Sequence, residues 1–196
     1  MPRGYDKHAH HHRDEPGWDE MYARQELRAD LAQRYWDIAR GRPGFRIADV
    51  GSGPGFFTIR FAAFTGPTGH VHAVDVSEGA LESLLARLDP IHHAHVTTEV
   101  LDVERAPLPD LSLDLVFCTD MLHHVDDVPA ALRHLRASGA PLVIAEFDPS
   151  GAGDIGPPLE ERLAPEALVR MLRAAGWRTG PVIPLAHEHY AIRAEP

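Results

Sequence analysis

Apolar positions along this 196-residue chain fall into two alternating rhythms. From Trp18 to Ala39, the residues Met21, Leu27, Leu31, Tyr35 and Ile38 recur mostly at three- to four-residue steps, which predicts one amphipathic helix stopped by Gly41, Pro43 and Gly44. Short apolar runs with strand character follow at Phe45 to Val50, His70 to Val74, His95 to Val100, Leu113 to Cys118 and Pro141 to Glu146. Helical spacing lies between most of them, at Phe56 to Phe64, Glu78 to Leu88 and Val128 to Ala137, and returns at Pro165 to Ala175. Such alternation predicts a parallel sheet covered by helices on both faces. The two closing strands, Trp177 to Ile183 and Glu188 to Arg193, are separated by Pro184, Leu185, Ala186 and His187. That is too short for a parallel crossover, so the pair is expected as an antiparallel hairpin. The Gly/Pro-rich stretch from Pro149 to Pro158 reads as a long loop at the carboxyl edge of the sheet, placed to act as a lid.

A chain of this length with 44% hydrophobic residues supports one well-packed unit, expected over residues 18–196 with 18–40 as an amino-terminal lid helix. The first 17 residues carry His8, His10, His11 and His12 among Gly, Pro and charges, and read as a flexible tail. No apolar run approaches the roughly 18 residues of a membrane span, and the polar start lacks the apolar run of a signal peptide, so a cytoplasmic location is expected. The lone Cys118 excludes an intrachain disulfide framework and reads as a buried, structural thiol. A formal charge of -10 repels phosphate backbones, which points away from nucleic acid and towards a small-molecule partner.

The candidate chemistry lies between the first strand and the next helix, in Asp49-Val50-Gly51-Ser52-Gly53-Pro54-Gly55-Phe56. Glycine permits positive backbone angles and close approach of a ligand, and a helix start presents unpaired amides that favour a carboxylate. A dinucleotide-binding loop requires its third glycine two intervening residues after the second, at the position held here by Phe56, whereas the glycines here alternate as Gly51, Gly53 and Gly55; that favours a ligand without a pyrophosphate. Asp75 ends the next strand, where a carboxylate can accept hydrogen bonds from both hydroxyls of a ribose. Asp102 follows the third strand and is placed to accept an exocyclic adenine amino group, with Val76 and Val103 flanking the base.

With these residues in place the sequence resembles the class I S-adenosylmethionine-dependent methyltransferases, most closely their ubiquinone/menaquinone-methyltransferase-like branch. The resemblance rests on residues 49–55, on Val71-His72-Ala73-Val74-Asp75, on the run from Asp114 to His124 and on the final hairpin, and covers Phe45 to the end. It implies a doubly wound α/β Rossmann-like fold with seven strands in the order 3-2-1-4-5-7-6, strand 7 antiparallel. It also implies that Asp49, Gly51, Ser52, Gly53 and Gly55 surround the methionine part of the cofactor, Asp75 the ribose, Asp102 and Val103 the adenine, and Thr119 and Leu122 the sulfonium side. The activity implied is transfer of a methyl group from S-adenosylmethionine to an oxygen, nitrogen or carbon of a small molecule, releasing S-adenosylhomocysteine. The chain departs from the branch at Ala137-Ser138-Gly139-Ala140, where a Lys-Pro-Gly-Gly turn is usual.

Methyl transfer from a sulfonium proceeds largely by proximity and alignment, so no protein nucleophile is required. If the acceptor must lose a proton, His123 is the first candidate base and His124 the second, because histidine titrates near neutrality and both follow the fourth strand. Tyr22, Trp36, Glu146 and Tyr190 are candidate acceptor-pocket residues, although aromatic residues at such positions more often belong to the core. The tail histidines and the pair His187 and His189 lack a convincing metal-ligand set, so no metal is expected. Two other readings remain open at this point. One is a non-catalytic protein that binds S-adenosylmethionine or a metal; the other is a nicotinamide-dependent oxidoreductase, which Phe56 disfavours.

Overall fold

The computed structural model describes residues 17–89 and 95–196; the expected histidine-rich tail lies almost wholly outside them. Helices α1 (Trp18–Glu26) and α2 (Asp30–Ala39) precede β1 (Arg46–Val50). They are followed by α3 (Phe56–Thr65), β2 (His70–Asp75), α4 (Glu78–Arg87), β3 (Val96–Val100), β4 (Leu115–Thr119), α5 (Val128–Arg136), β5 (Leu142–Phe147), α6 (Pro165–Ala174), β6 (Arg178–Leu185) and β7 (His189–Glu195). The strands form one sheet in the order β3-β2-β1-β4-β5-β7-β6. Strand β7 runs antiparallel to both β5 and β6, as the short closing connection requires. The strand order reverses between β1 and β4, so the crevice outside the carboxyl ends of these two strands is the place where a doubly wound fold binds ligands.

Burial on both faces explains why the central strands read as continuous apolar runs. In β4, Val116 and Cys118 join a cluster with Leu132 and Leu135 of α5 and Leu168 and Leu172 of α6. Leu115 and Phe117 face the other way, towards Leu31, Tyr35 and Trp36 of α2 and Phe57 and Phe61 of α3. Phe61 stacks on Phe117 with ring centroids 4.0 Å apart. Trp36 stacks beside them, so it is a core residue and not part of an acceptor pocket. Cys118 is buried, and its surroundings push the thiol pKa well up, in keeping with an inert structural role.

Two expectations about the carboxyl edge need correction. The amino-terminal helix is broken at residues 27–29, where Arg28 and Ala29 donate backbone hydrogen bonds to Gln25 and Glu26, three residues back. The tightened turn leaves Leu27, expected on the apolar stripe, 76% exposed and turns Arg28 inward. The second correction concerns the expected lid at Pro149 to Pro158. The side chain of Arg162 is fully buried and donates to the carbonyls of Asp148 (2.9 Å), Pro157 (3.0 Å) and Ile155, and to Glu188 (2.6 Å). Glu188 in turn accepts from the amides of Gly153 and Asp154. The loop is therefore stapled in place from within.

Candidate active site

The glycine loop turns sharply because its backbone is tied to the neighbouring strand. The amides of Gly51 and Ser52 both donate to the carbonyl of Val74, at 2.8 and 3.0 Å, and the amide of Gly55 donates to Ser52. The amide of Gly53 donates to Asp75 Oδ2 at 2.8 Å, while Asp75 Oδ1 accepts from Ser77 at 2.9 Å. Asp75, expected to meet a ribose, thus also fixes the loop against the end of β2.

The three glycines take positive φ for different local reasons. A Cβ on Gly51 would fall 2.3 Å from Met121 Cγ, and one on Gly55 would fall 2.1 Å from Leu84 Cδ1. Their missing side chains make room for the protein's own packing. At Gly53 the nearest atom to an added Cβ is the Met21 sulfur, 3.8 Å away, so this glycine borders space beneath α1. Helix α3 begins at Gly55 without a side-chain cap, which leaves its first turn available to an anionic group.

Beneath the loop, Asp49 and Ser52 are buried. Thr58 of α3 donates to Asp49 Oδ2 at 2.6 Å, but Asp49 Oδ1 and Ser52 Oγ have no hydrogen-bond partner among the described residues. Burial lifts the Asp49 pKa to about 7, against the lowering effect of the Thr58 hydrogen bond, and the nearby charge of Asp75 adds to the rise. A buried carboxylate with one unmatched oxygen fits a ligand that brings a cation and hydrogen-bond donors.

On the adenine side, Asp102 closes a turn by accepting from the amide of Glu104 at 2.9 Å and pairs with Arg105 at 2.9 Å. Val76 is 61% exposed, whereas Val103 packs into the core and its carbonyl accepts from His134 Nδ1. The end of β3 and the start of α5 are also joined by Glu104, which accepts from the amides of Asp126 and Asp127.

Beyond β4 the side chains of Glu146, Asp120, Arg28 and His189 all find hydrogen-bonding partners within the protein. Glu146, the penultimate residue of β5, is fully buried and does not line a pocket directly. It accepts from the amides of Met121 (3.0 Å) and Leu122 (2.6 Å) and lies 2.7 Å from His123 Nδ1. It therefore caps the short 3₁₀ turn Leu122–His124 that carries both candidate bases. The His123 side chain is only 5% exposed, whereas His124 is exposed, their ring centroids lying 4.1 Å apart. Burial alone would lower the His123 pKa, but the charge and hydrogen bond of Glu146 outweigh it and raise the pKa above the ordinary 6.5. Thr119 and Leu122, expected at the sulfonium, are both buried, and Leu122 packs in the core.

Two further placements differ from expectation. Tyr190 is buried in the core, and its hydroxyl donates to the Leu163 carbonyl at 2.7 Å, so it does not line an acceptor pocket. Tyr22 lies over the start of α3, edge-on to Phe56 at 5.3 Å and beneath the Arg87 guanidinium, which puts it on the glycine-loop side.

The sequence reading missed a network formed by Arg28, Asp120 and His189. Arg28 donates to Asp120 Oδ2 at 2.6 Å, and His189 Nε2 lies 3.0 Å from both Asp120 Oδ1 and the Arg28 guanidinium. Burial would raise the Asp120 pKa, but the His189 hydrogen bond and the Arg28 charge hold it down at about 2. The signal was present: Asp120 directly follows β4, and the hairpin register places His189 opposite Phe147 at the same edge. His187 sits in the turn, hydrogen-bonded to Asp30. It thus does not share an extended face with His189, and among the described residues no group of three potential ligands is arranged to hold a metal.

Comparison with known proteins agrees with this arrangement. Residues 47–141 match the family described as a methyltransferase domain. The ubiquinone/menaquinone biosynthesis C-methyltransferase UbiE of Burkholderia cenocepacia is 34% identical over 113 residues, covering 56% of this chain and 46% of that protein. The chain thus spans about half the length of the curated relatives it matches. Among solved structures, an S-adenosylmethionine-dependent methyltransferase from Aquifex aeolicus superposes with a TM-score of 0.78 at 22% identity, covering 97% of this chain and 98% of that one. The [4+2]-cyclase SpnF shares the fold at a TM-score of 0.70 and 20% identity, covering 84% of this chain and 63% of that one, so fold alone does not define the reaction. Residues 47–141 thus carry a methyltransferase domain, and in sheet order, glycine loop and sequence the chain is similar to the class I S-adenosylmethionine-dependent methyltransferases, the ubiquinone/menaquinone branch among them.

Proposed function

We propose that this protein transfers a methyl group from S-adenosylmethionine to a small-molecule acceptor and releases S-adenosylhomocysteine. The observation that carries the reading is the buried pair of unmatched acceptors beneath the glycine loop, Asp49 Oδ1 and Ser52 Oγ, at the β1–β4 switch point. Asp49 would take the ammonium of the methionine part, the first turn of α3 its carboxylate, and Asp75 the ribose hydroxyls. Asp102, Val76 and Val103 would border the adenine, and Thr119 and Leu122 would back the sulfonium side. Bound at this edge, the donor supplies an electrophilic methyl carbon on a good leaving group. The protein's contribution is to hold that carbon in line with the acceptor and to exclude water.

Helix α1 would cover the donor, with Met21 above Gly53 and Tyr22 against Phe56. The formal charge of -10 favours a small acceptor over nucleic acid. No helix among the described residues is long and apolar enough to cross a membrane, and a cytoplasmic location fits that observation.

Titration calorimetry with S-adenosylmethionine, S-adenosylhomocysteine and NAD tests the reading. Heat is expected with the first two and none with NAD. Folded protein that binds neither adenosyl compound would end the proposal, and binding without turnover across a broad acceptor panel would favour a non-catalytic role.

A further inference from the structure

We propose that Arg28 and Tyr35 form a subsite for a carboxylate carried by the acceptor, so that the acceptor is an organic acid. This inference rests on the methyl-transfer reading and adds to it the group by which the acceptor is recognised. The break between α1 and α2 sets the subsite up. Once the tight turn has brought Arg28 inward, Leu31 and Tyr35 follow at helical steps of three and four, so the three fall on the buried face of α2.

Arg28 spends only part of its guanidinium on the protein. Nη1 donates to Asp120 Oδ2 at 2.6 Å and lies 3.0 Å from His189 Nε2, whereas Nε and Nη2 have no hydrogen-bond partner among the described residues. These two atoms are not among the buried polar atoms that lack a partner, so solvent reaches this edge although the residue is only 9% exposed. The Phe147 ring backs the guanidinium, 5.0 Å from its carbon. Tyr35 is fully buried, and its hydroxyl has no hydrogen-bond partner among the described residues. Asp120 and Arg28 are the charges that act on it most, which puts it beside that pair. Burial, and after it the charge of Asp120, pushes the Tyr35 pKa well up, so the hydroxyl keeps its proton and is a donor without an acceptor.

Around Arg28 the charges do not balance. His189 Nδ1 faces the His187 carbonyl while Nε2 faces Asp120 Oδ1 at 3.0 Å. Both partners are acceptors, so the ring satisfies them together only when each nitrogen carries a proton. Two cations, Arg28 and His189, then share the carboxylate of Asp120. Glu146 on the neighbouring strand is already held by two backbone amides and His123. The network keeps its shape without a ligand, and what it leaves over is a positive charge in a place largely closed to water, where an uncompensated charge is costly. A carboxylate supplies a single negative charge and two coplanar oxygens, which the edge formed by Nε and Nη2 takes in parallel hydrogen bonds. A phosphate dianion would bring a second negative charge up against Asp120 and Glu146.

The test uses the whole chain saturated with S-adenosylhomocysteine, in wild-type, Tyr35→Phe and Arg28→Lys forms, with benzoate, benzamide and inorganic phosphate as probes. In ¹H–¹⁵N NMR of the wild type, the Arg28 Nε–H resonance should move saturably with benzoate and stay in place with the uncharged benzamide. Benzoate affinity should fall about 10-fold or more in Tyr35→Phe, which removes a donor to a charged group, and in Arg28→Lys, which keeps the charge beside Asp120 but loses the fork. Unligated Tyr35→Phe should melt no lower than the wild type, because the hydroxyl it lacks bonds to nothing in the free protein. A purely structural role for these residues predicts no response to benzoate. Such silence, an equal response to benzamide or to phosphate, or undiminished benzoate affinity in Tyr35→Phe would each overturn the proposal. If Arg28→Lys does not fold, Tyr35→Phe alone decides. Failure of the wild type to bind S-adenosylhomocysteine would instead sink the methyl-transfer reading, and benzoate titration of the unloaded chain would then decide the subsite by the same criteria.

Discussion

The two halves of the carboxyl edge are built on opposite principles. At the ends of β1 and β2 the chain presents bare main chain at Gly53 and leaves the buried Asp49 Oδ1 and Ser52 Oγ without partners. At the ends of β4 and β5 and the start of β7, Glu146, Asp120, Arg28 and His189 are buried as well, yet Glu146 meets His123 and two backbone amides, and Asp120, Arg28 and His189 meet one another at hydrogen-bonding distance. Unmatched buried groups cost stability in the free protein and repay it when a complementary ligand arrives. Matched groups hold a shape whether or not anything is bound. The donor half is thus prepared to gain contacts, and the acceptor half is prepared to keep its geometry.

The strongest way to break this contrast is to unmatch the acceptor half. Asp120→Ala strands Arg28 and His189 together without their counter-charge and should cost about 3–5 kcal/mol in urea unfolding. The same group predicts an acid limb. Its folded pKa of about 2 lies below the ordinary 3.8, so its contribution is full above 3.8 and is lost as pH falls through that value towards 2. Asp120→Asn should flatten that limb.

Matching the donor half should act in the opposite direction. The folded pKa of Asp49, about 7, lies above the ordinary 3.8, so stability contributed by this group is full below 3.8 and is lost as pH rises towards 7. Asp49→Asn should therefore raise the unligated melting temperature at pH 8, by the equivalent of a few kcal/mol, while weakening S-adenosylmethionine binding. In the wild type, donor binding near pH 7 should release protons from Asp49, measurable by calorimetry in buffers of different ionisation enthalpy.

Gly55→Ala probes the packing beneath the donor half. The added Cβ meets Leu84 at a residue with φ of 89°, so a loss of about 2–3 kcal/mol is expected, seen as a melting temperature lowered by about 4–12 °C. The smallest effect is predicted for Tyr190→Phe, which removes a single hydrogen bond to Leu163 and should cost about 1 kcal/mol, leaving S-adenosylhomocysteine affinity unchanged. A large loss of affinity there would return Tyr190 to the site and blur the contrast.

Sequence legibility follows the same division. Features with a local cause were visible in the pattern: the continuous apolar run of β4, the strand–glycine–helix junction at residues 49–56, and the closing hairpin whose connection was too short to cross over. Contacts between distant residues were not. Arg28 and His189 are 161 positions apart, and the helical periodicity that favoured Leu27 as the inward residue could not anticipate that a tight turn would deliver its charged neighbour instead. Glu146 was placed at the right edge, but its direction was set by the demand of two buried amides, which no spacing rule encodes. The Gly/Pro-rich composition of residues 149–158 suggested freedom, and Arg162, a few residues beyond, removes it.

The Arg162 staple has a consequence for molecular traffic. Swinging that loop outward would strip several charge-assisted hydrogen bonds together, each worth roughly 1.5–3 kcal/mol, so spontaneous opening on that side is rare. Helix α1, by contrast, has no buried residue along its 9-residue length. Peeling it away uncovers little apolar core, so a nucleoside bound beneath it, as proposed, would exchange on that side, its lifetime set by how tightly one short helix clings to the surface.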